Sequence, residues 1–278
     1  MAFGGLKALN GFSLTLRRGD LQGLIGPNGA GKTTAFNLLT GVYTPTEGAV
    51  TVGGIRVNGE RPHRINRLGV ARTFQNIRLF KQLTVLDNVR VAILAETKPW
   101  FDPKRVLAWR RGAAWQRVLG ATADSLDNAR DWWRAFLSTP GFRREEVKLT
   151  DKADALLEVM GLAHRREELA RTLPYGEQRR LEIARALGTQ PSVLLLDEPA
   201  AGMNTREKAD LMVLIRTLRD RFSLGVLVIE HDMKLVMGMC EALTVLDHGE
   251  TIATGAPADV RQNPTVIEAY LGEAPAHG

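Results

Sequence analysis

Residues 21–39, LQGLIGPNGAGKTTAFNLL, decide how the rest of the chain is read. A short apolar run, Leu21 to Ile25, breaks into a glycine-rich turn and then becomes helical. The turn places Gly26, Gly31, Lys32 and Thr33 in the spacing G-x-x-x-x-G-K-T, with Pro27, Asn28, Gly29 and Ala30 between them and Thr34 following. Glycines let several backbone N–H groups point into one concavity, and a helix opening at Lys32 adds the positive end of its dipole. Together these suit phosphate oxygens. Lys32 would reach the β- and γ-phosphates of a nucleoside triphosphate, and the Thr33 hydroxyl would hold Mg²⁺. A glycine-rich loop after a strand can also be a mere tight turn, but here strand, loop and helix stand in the order the phosphate reading demands.

The 278 residues are enough for one large domain or for a core with an inserted subdomain. A hydrophobic fraction of 44% and a charged fraction of 24% exclude a disordered chain. No apolar run approaches the roughly 18 residues of a membrane span, and the N-terminus lacks the basic-then-apolar pattern of a signal peptide, so the expected place is the cytoplasm. The single cysteine, Cys240, excludes an internal disulfide and a multi-cysteine metal site; its neighbours Val236, Met237 and Met239 predict a buried thiol. The net charge of +6 is concentrated: Lys98 to Lys148 holds 11 Lys/Arg against 6 Asp/Glu, and all five tryptophans lie there too. Two readings of that segment stay open. Its tryptophans pack inside a helical subdomain behind a solvated basic face, or Trp100 to Trp133 forms an interfacial helix pair against anionic lipid or a membrane partner.

Along the chain, Phe12 to Leu16 alternates apolar and polar residues as an edge strand would, and Arg18-Gly19-Asp20 makes a turn. GAVTVGGIRVNG reads as a hairpin turning at Gly53-Gly54. A short strand over Leu68 to Thr73 leads through Gln75 into a loop, and from Val85 to about Gly188 helical patterns dominate, as in Asp151 to Met160. Pro99, Pro103, Pro140 and Gly141 punctuate that region. Buried strands are predicted at Val193–Leu196, Gly225–Ile229 and Leu243–Leu246, with helices at about Arg206–Arg221 and Met233–Cys240 between them, followed by a hairpin turning at His248-Gly249 and a helix around Val266–Leu271. Apolar runs alternating with helices imply a parallel sheet with helices on both faces. The Val193–Leu196 run ends in Asp197-Glu198, placing Asp197 where it can hold Mg²⁺ through water and Glu198 where it can face an attacking water; a buried-strand acid can also be structural.

At this point the chain resembles the ATP-binding subunits of ABC transporters over residues 3–272. Besides the two phosphate-site motifs, the resemblance rests on LPYGEQRRLEIARAL (Leu173 to Leu187), on Gln75 after a strand, on the turn AAGMN (Ala200 to Asn204), and on His231 after a strand. It implies an α/β fold: a P-loop NTPase (RecA-like) core with an antiparallel β subdomain and an inserted helical subdomain. The implied division is one nucleotide-binding domain over 1–278, with 1–75 and 189–278 as core and 76–188 as the mainly helical part. The implied cofactors are ATP and Mg²⁺. Phe3, 29 positions before Lys32, would stack on adenine, although a lone N-terminal Phe is more often a core residue. Gln75 would touch Mg²⁺ and the attacking water, His231 would contact the γ-phosphate beside Glu198, and Thr33 and Asp197 would complete the metal site.

The resemblance further implies that Tyr175, Gly176 and Glu177 open a helix, near Gly176, that caps the ATP held by a second ATP-binding subunit, either a sister chain or a second copy. Asn204 would lie in the turn crossing that interface. Pro174 stands where the family usually has serine, removing a hydroxyl and an N–H, worth about 1 kcal/mol if unreplaced. This variant, with FGGLKAL, EHDMKLVM and VIEAYLG, resembles the branch serving branched-chain amino acid importers. The implied partners are two integral membrane permeases and, indirectly, an extracytoplasmic substrate-binding protein, with the chain peripheral on the cytoplasmic face of the membrane. Urea or short amides as cargo, an exporter, and a soluble ABC ATPase switch on ribosomes or DNA are the alternatives. A nucleic-acid partner is not expected, since neither a fused second module nor a long coiled coil is present.

Overall fold

The computed structural model describes residues 1–3, 6–97 and 140–271. The tryptophan-rich segment, with both readings offered for it, falls largely outside the described residues.

Hydrophobic runs without polar interruption form the centre of the molecule. Val193–Asp197 (β7) and Gly225–Ile229 (β8) are buried on both sides, as strands covered by helices above and below must be. With Leu21–Ile25 (β3), Val70–Arg72 (β6), Ala242–Asp247 (β9) and Glu250–Gly255 (β10) they make a six-stranded sheet of order β10-β9-β3-β8-β7-β6. All neighbours run parallel except the edge strand β10, which folds back on β9 through the His248-Gly249 turn. Two small antiparallel ribbons stand apart from this sheet: Ala2–Phe3 (β1) with Leu6–Lys7 (β2), and Thr51–Val52 (β4) with Ile55–Arg56 (β5).

Alternation along the strands sends successive side chains to opposite faces. Leu24, Leu195, Leu227 and Ile229 face Ala35 and Phe36 of the helix Lys32–Leu39 (α1) and Ile65 of the helix Pro62–Arg67 (α2). Ile25, Leu194, Leu196, Val226 and Val228 face the other way, against Thr205–Phe222 (α6) and Met233–Met239 (α7). Between β6 and β7 the chain leaves the sheet to form Val85–Thr97 (α3), Pro140–Val159 (α4) and Tyr175–Gly188 (α5), the inserted helical part. Two short helices, Pro257–Gln262 (α8) and Pro264–Leu271 (α9), close the described chain.

Several expectations change. Phe12, Leu14 and Leu16 are half-buried and their neighbours exposed, so the alternation is real, but the segment joins no strand ladder among the described residues. An extended chain lying over a core gives the same period as a paired strand. The strand expected over Leu68–Thr73 is confined to Val70–Arg72, because Leu68 closes α2 and Gly69 turns with φ +96°.

Candidate functional site at the carboxyl ends of the parallel strands

Five parallel strands end on one side of the sheet, and the residues that follow four of them, β3, β8, β7 and β6, converge there. After β3 comes the glycine-rich loop. Gly26 has φ +147°, and a Cβ on it would lie 2.0 Å from the Leu246 carbonyl oxygen, so no other residue fits. Gly31, at φ +101°, would put a Cβ 2.6 Å from the Ala8 carbonyl oxygen. The loop is fastened to the β9–β10 turn, where the Gly249 N–H donates to the Ala30 carbonyl. Lys32 is buried, and its ammonium donates to the carbonyls of Gly26 and Pro27, both at 2.6 Å. Asn28, Gly29 and Thr33 are exposed and Thr34 is half-buried, so the outer rim of the loop is open to a ligand.

β7 ends in Asp197, buried, with Oδ2 accepting from Arg72 Nη2 at 2.6 Å; its backbone N–H donates to Thr73 Oγ1. Glu198 follows in the left-handed region at φ +46°, a conformation a glutamate adopts at a cost of about 1 kcal/mol or more and one that turns its carboxylate off the strand direction. That carboxylate is shared. Oε2 accepts from Gln75 Nε2 at 3.0 Å, and Oε1 lies 2.7 Å from His231 Nε2. Gln75 follows β6 and His231 follows β8, so Gln75, Glu198 and His231 reach a single point from three adjacent strands. The next acid, Glu230, is buried, and loss of hydration pushes its carboxyl above the usual range. It accepts from the Ala200 N–H at 2.8 Å, tying the Ala200–Asn204 turn to the same strand end.

The donor set fits ATP with Mg²⁺. The loop offers N–H groups and an ammonium to phosphates, and none of the described hydrogen bonds uses Asp197 Oδ1, which leaves it for a metal-bound water. Among the described residues no group of three or more His, Cys, Asp or Glu could cage a metal. Mg²⁺ bound mainly by water and phosphate needs only such a sparse site.

Tyr175, Gly176 and Glu177 stand on a separate element. The helix α5 begins at Tyr175, one residue earlier than expected, with Pro174 as its N-cap and no side-chain cap. Its first turn leaves N–H groups open. Gly176 lies beside Met203 and Glu207, the Tyr175 ring lies over Gly202, and the Glu177 carboxylate turns to Arg165 at 3.3 Å. Asn204 caps α6 in a reciprocal capping box with Glu207. Phe3 lies in β1 paired with Leu6, and its side chain is outside the described residues.

Sequence reasoning missed two arginines. Arg72, from the apolar β6, reaches Asp197 and Asn37 Oδ1 (2.7 Å) and sits over the rings of Phe36 and Phe74. An arginine inside an otherwise apolar strand was the available signal. Arg179, within the LPYGEQRRLEIARAL stretch, is wholly buried against the Gln75 loop.

Residues 9–201 match the family described as ABC transporter, and residues 250–276 match the branched-chain amino acid ATP-binding cassette transporter family. The chain is 43% identical over 274 residues to the high-affinity branched-chain amino acid transport ATP-binding protein LivG of Salmonella typhimurium, covering 99% of this chain and 95% of that one. Identity and coverage are the same for the protein BraF of Pseudomonas aeruginosa, which bears the same description. Among solved structures, the ADP conformation of an ATP-binding cassette of an ABC transporter superposes with a TM-score of 0.74 at 28% identity, covering 98% of this chain and 96% of the other. Among the described residues, no helix is long and apolar enough to cross a membrane.

Proposed function

The chain belongs to the ATP-binding subunits of ABC transporters, and from that premise we propose that it binds and hydrolyses ATP to power an importer of branched-chain amino acids. The observation that carries the chemistry is the meeting of Gln75, Glu198 and His231 at the strand ends beside the Lys32 loop. Glu198 takes the proton of the attacking water, Gln75 orients that water, and His231 holds Glu198 in place and faces the γ-phosphate. The loop residues Pro27 to Thr34 hold the phosphates through N–H groups and Lys32. Thr33, Gln75 and, through water, Asp197 would hold Mg²⁺, which would supply charge neutralisation on the phosphates. Phe3 is the adenine contact.

The open first turn of α5, with Tyr175 exposed and Gly176 and Glu177 half-buried beside the Ala200–Asn204 turn, supports a head-to-tail pair in which Tyr175, Gly176 and Glu177 of one subunit close over the ATP held by the other. Hydrolysis then reopens the pair. Two membrane permeases and an extracytoplasmic binding protein complete the assembly, with this chain peripheral on the cytoplasmic side as a single domain. The names of the two relatives and the match over residues 250–276 support branched-chain amino acids as cargo.

Glu198→Gln tests the chemistry: turnover nearly vanishes while ATP binding persists and the ATP-bound pair becomes long-lived. A wild-type rate in that variant would remove Glu198 as the base. Uptake of leucine, isoleucine and valine by the chain reconstituted with its co-purifying membrane partners tests the cargo; uptake of urea alone would overturn it.

A further inference from the structure

One face of α5 carries Arg179, Glu182 and Arg185, spaced by three, and all three touch the loop of residues 74–80. Arg179 is entirely buried and Glu182 nearly so, 2.8 Å apart. Arg179 Nη1 also donates to the Phe74 carbonyl at 2.6 Å, and Nη2 donates to the Gln75 carbonyl at 2.7 Å and to the Tyr175 hydroxyl at 3.1 Å. Glu182 Oε1 accepts from the backbone N–H of Phe74 (3.3 Å) and of Arg78 (3.2 Å). The far end of the loop is held by Asn88 of α3, which exchanges hydrogen bonds with the Phe80 backbone.

A buried ion pair is a poor means of adding stability, because desolvation offsets most of the attraction; its worth lies in fixing one arrangement. Here the arrangement fixed is the peptide that carries Gln75. We propose that Arg179 and Glu182 are positioning residues for hydrolysis, clamping the Gln75 loop to the helix opened by Tyr175. The same clamp runs on to the Ala200–Asn204 turn, since the Tyr175 ring lies over Gly202. Gln75 serves the nucleotide held by its own chain, whereas the start of α5 faces the nucleotide of the partner subunit. A shift of α5 as it closes on the partner's ATP therefore moves the Gln75 peptide, and the occupancy of one site sets the geometry of the other.

This inference rests on the role given above to Gln75, and the test separates the two. The double variant Arg179→Gln/Glu182→Ala removes both charges together, leaving no buried charge unpaired. Amide exchange at residues 74–78 should accelerate at least about tenfold with the phosphate loop unchanged, and kcat should fall about tenfold while KM for ATP stays within about threefold. If the double variant fails to fold, Arg179→Lys substitutes; the three N–H donors of its ammonium cannot serve all four acceptors that Arg179 reaches, the Glu182 carboxylate, two carbonyls and a phenol, and it should give the same exchange and the same split. Unchanged exchange at 74–78, or faster exchange with unchanged kcat, overturns the proposal. Gln75→Ala is run beside it: a wild-type rate there overturns the role of Gln75 and, with it, any positioning role for the pair, whatever the exchange shows.

Discussion

Arg72 Nη2 stands 2.6 Å from Asp197 Oδ2, and both side chains are less than a tenth exposed. The cation that first meets this aspartate is thus one of the protein's own. In Arg72→Met the apolar stem keeps its place between Phe36 and Phe74, but a buried carboxylate loses its partner. Urea unfolding should show a loss of about 3 kcal/mol. Adding Mg²⁺ with ATP should narrow the gap to wild type, since a divalent cation then supplies part of the missing charge. An unchanged urea midpoint without nucleotide would refute the pairing.

Gly26→Ala should be among the most damaging single-methyl changes in the chain. The added Cβ would meet the Leu246 carbonyl at 2.0 Å, so either the loop or β9 must move. Affinity for a fluorescent ATP analogue should fall by at least about tenfold. Retained affinity would mean that the loop tolerates a shape other than the one seen.

The capping box at Asn204 makes a two-way prediction. Asn204→Ala leaves the Glu207 N–H without its acceptor and should cost about 1 kcal/mol in thermal unfolding. Asn204→Asp keeps the acceptor and adds a negative charge at a helix start, so it should gain about 0.5 kcal/mol.

Cys240 is buried, and loss of hydration pushes its thiol up to about 12 from an ordinary 9.0. The folded state therefore holds this proton where the unfolded chain has released it. The linked contribution to stability is complete below pH 9.0 and is lost as pH rises towards about 12. Iodoacetamide near neutral pH should leave the native thiol intact and alkylate it on unfolding. Rapid labelling of the folded protein would contradict this burial.

Much of this molecule is legible in its sequence because its strands are continuous apolar runs ending in polar residues. Val193–Asp197 and Gly225–Ile229 stand where Leu-Leu-Leu-Asp-Glu and Val-Leu-Val-Ile-Glu-His place them, and the parallel register brings Glu198 and His231 together without further information. The helices α2 and α8 are different. Each buries one residue, Ile65 or Val260, so neither shows a period; tertiary contacts rather than pattern make them helical. The role of Arg179 is invisible for a related reason. Adjacent Arg179 and Arg180 look alike in sequence, and only the rotation of α5 sends one into the core and leaves the other half-exposed. The left-handed backbone at Glu198 likewise carries no sequence signal, because glutamate has no intrinsic preference for positive φ.

The ammonium of Lys32, bridging the carbonyls of Gly26 and Pro27, has a consequence for binding. The loop is stapled into its phosphate-ready shape by the folded protein itself, so its ordering is completed before any ligand arrives. Under the role proposed for Lys32, a nucleotide exchanges the two carbonyl contacts of that lysine for its own oxygens without freezing a mobile segment. Under that proposal, nucleotide entry carries no added entropy cost for ordering the loop, and that part of the binding free energy is already spent in folding.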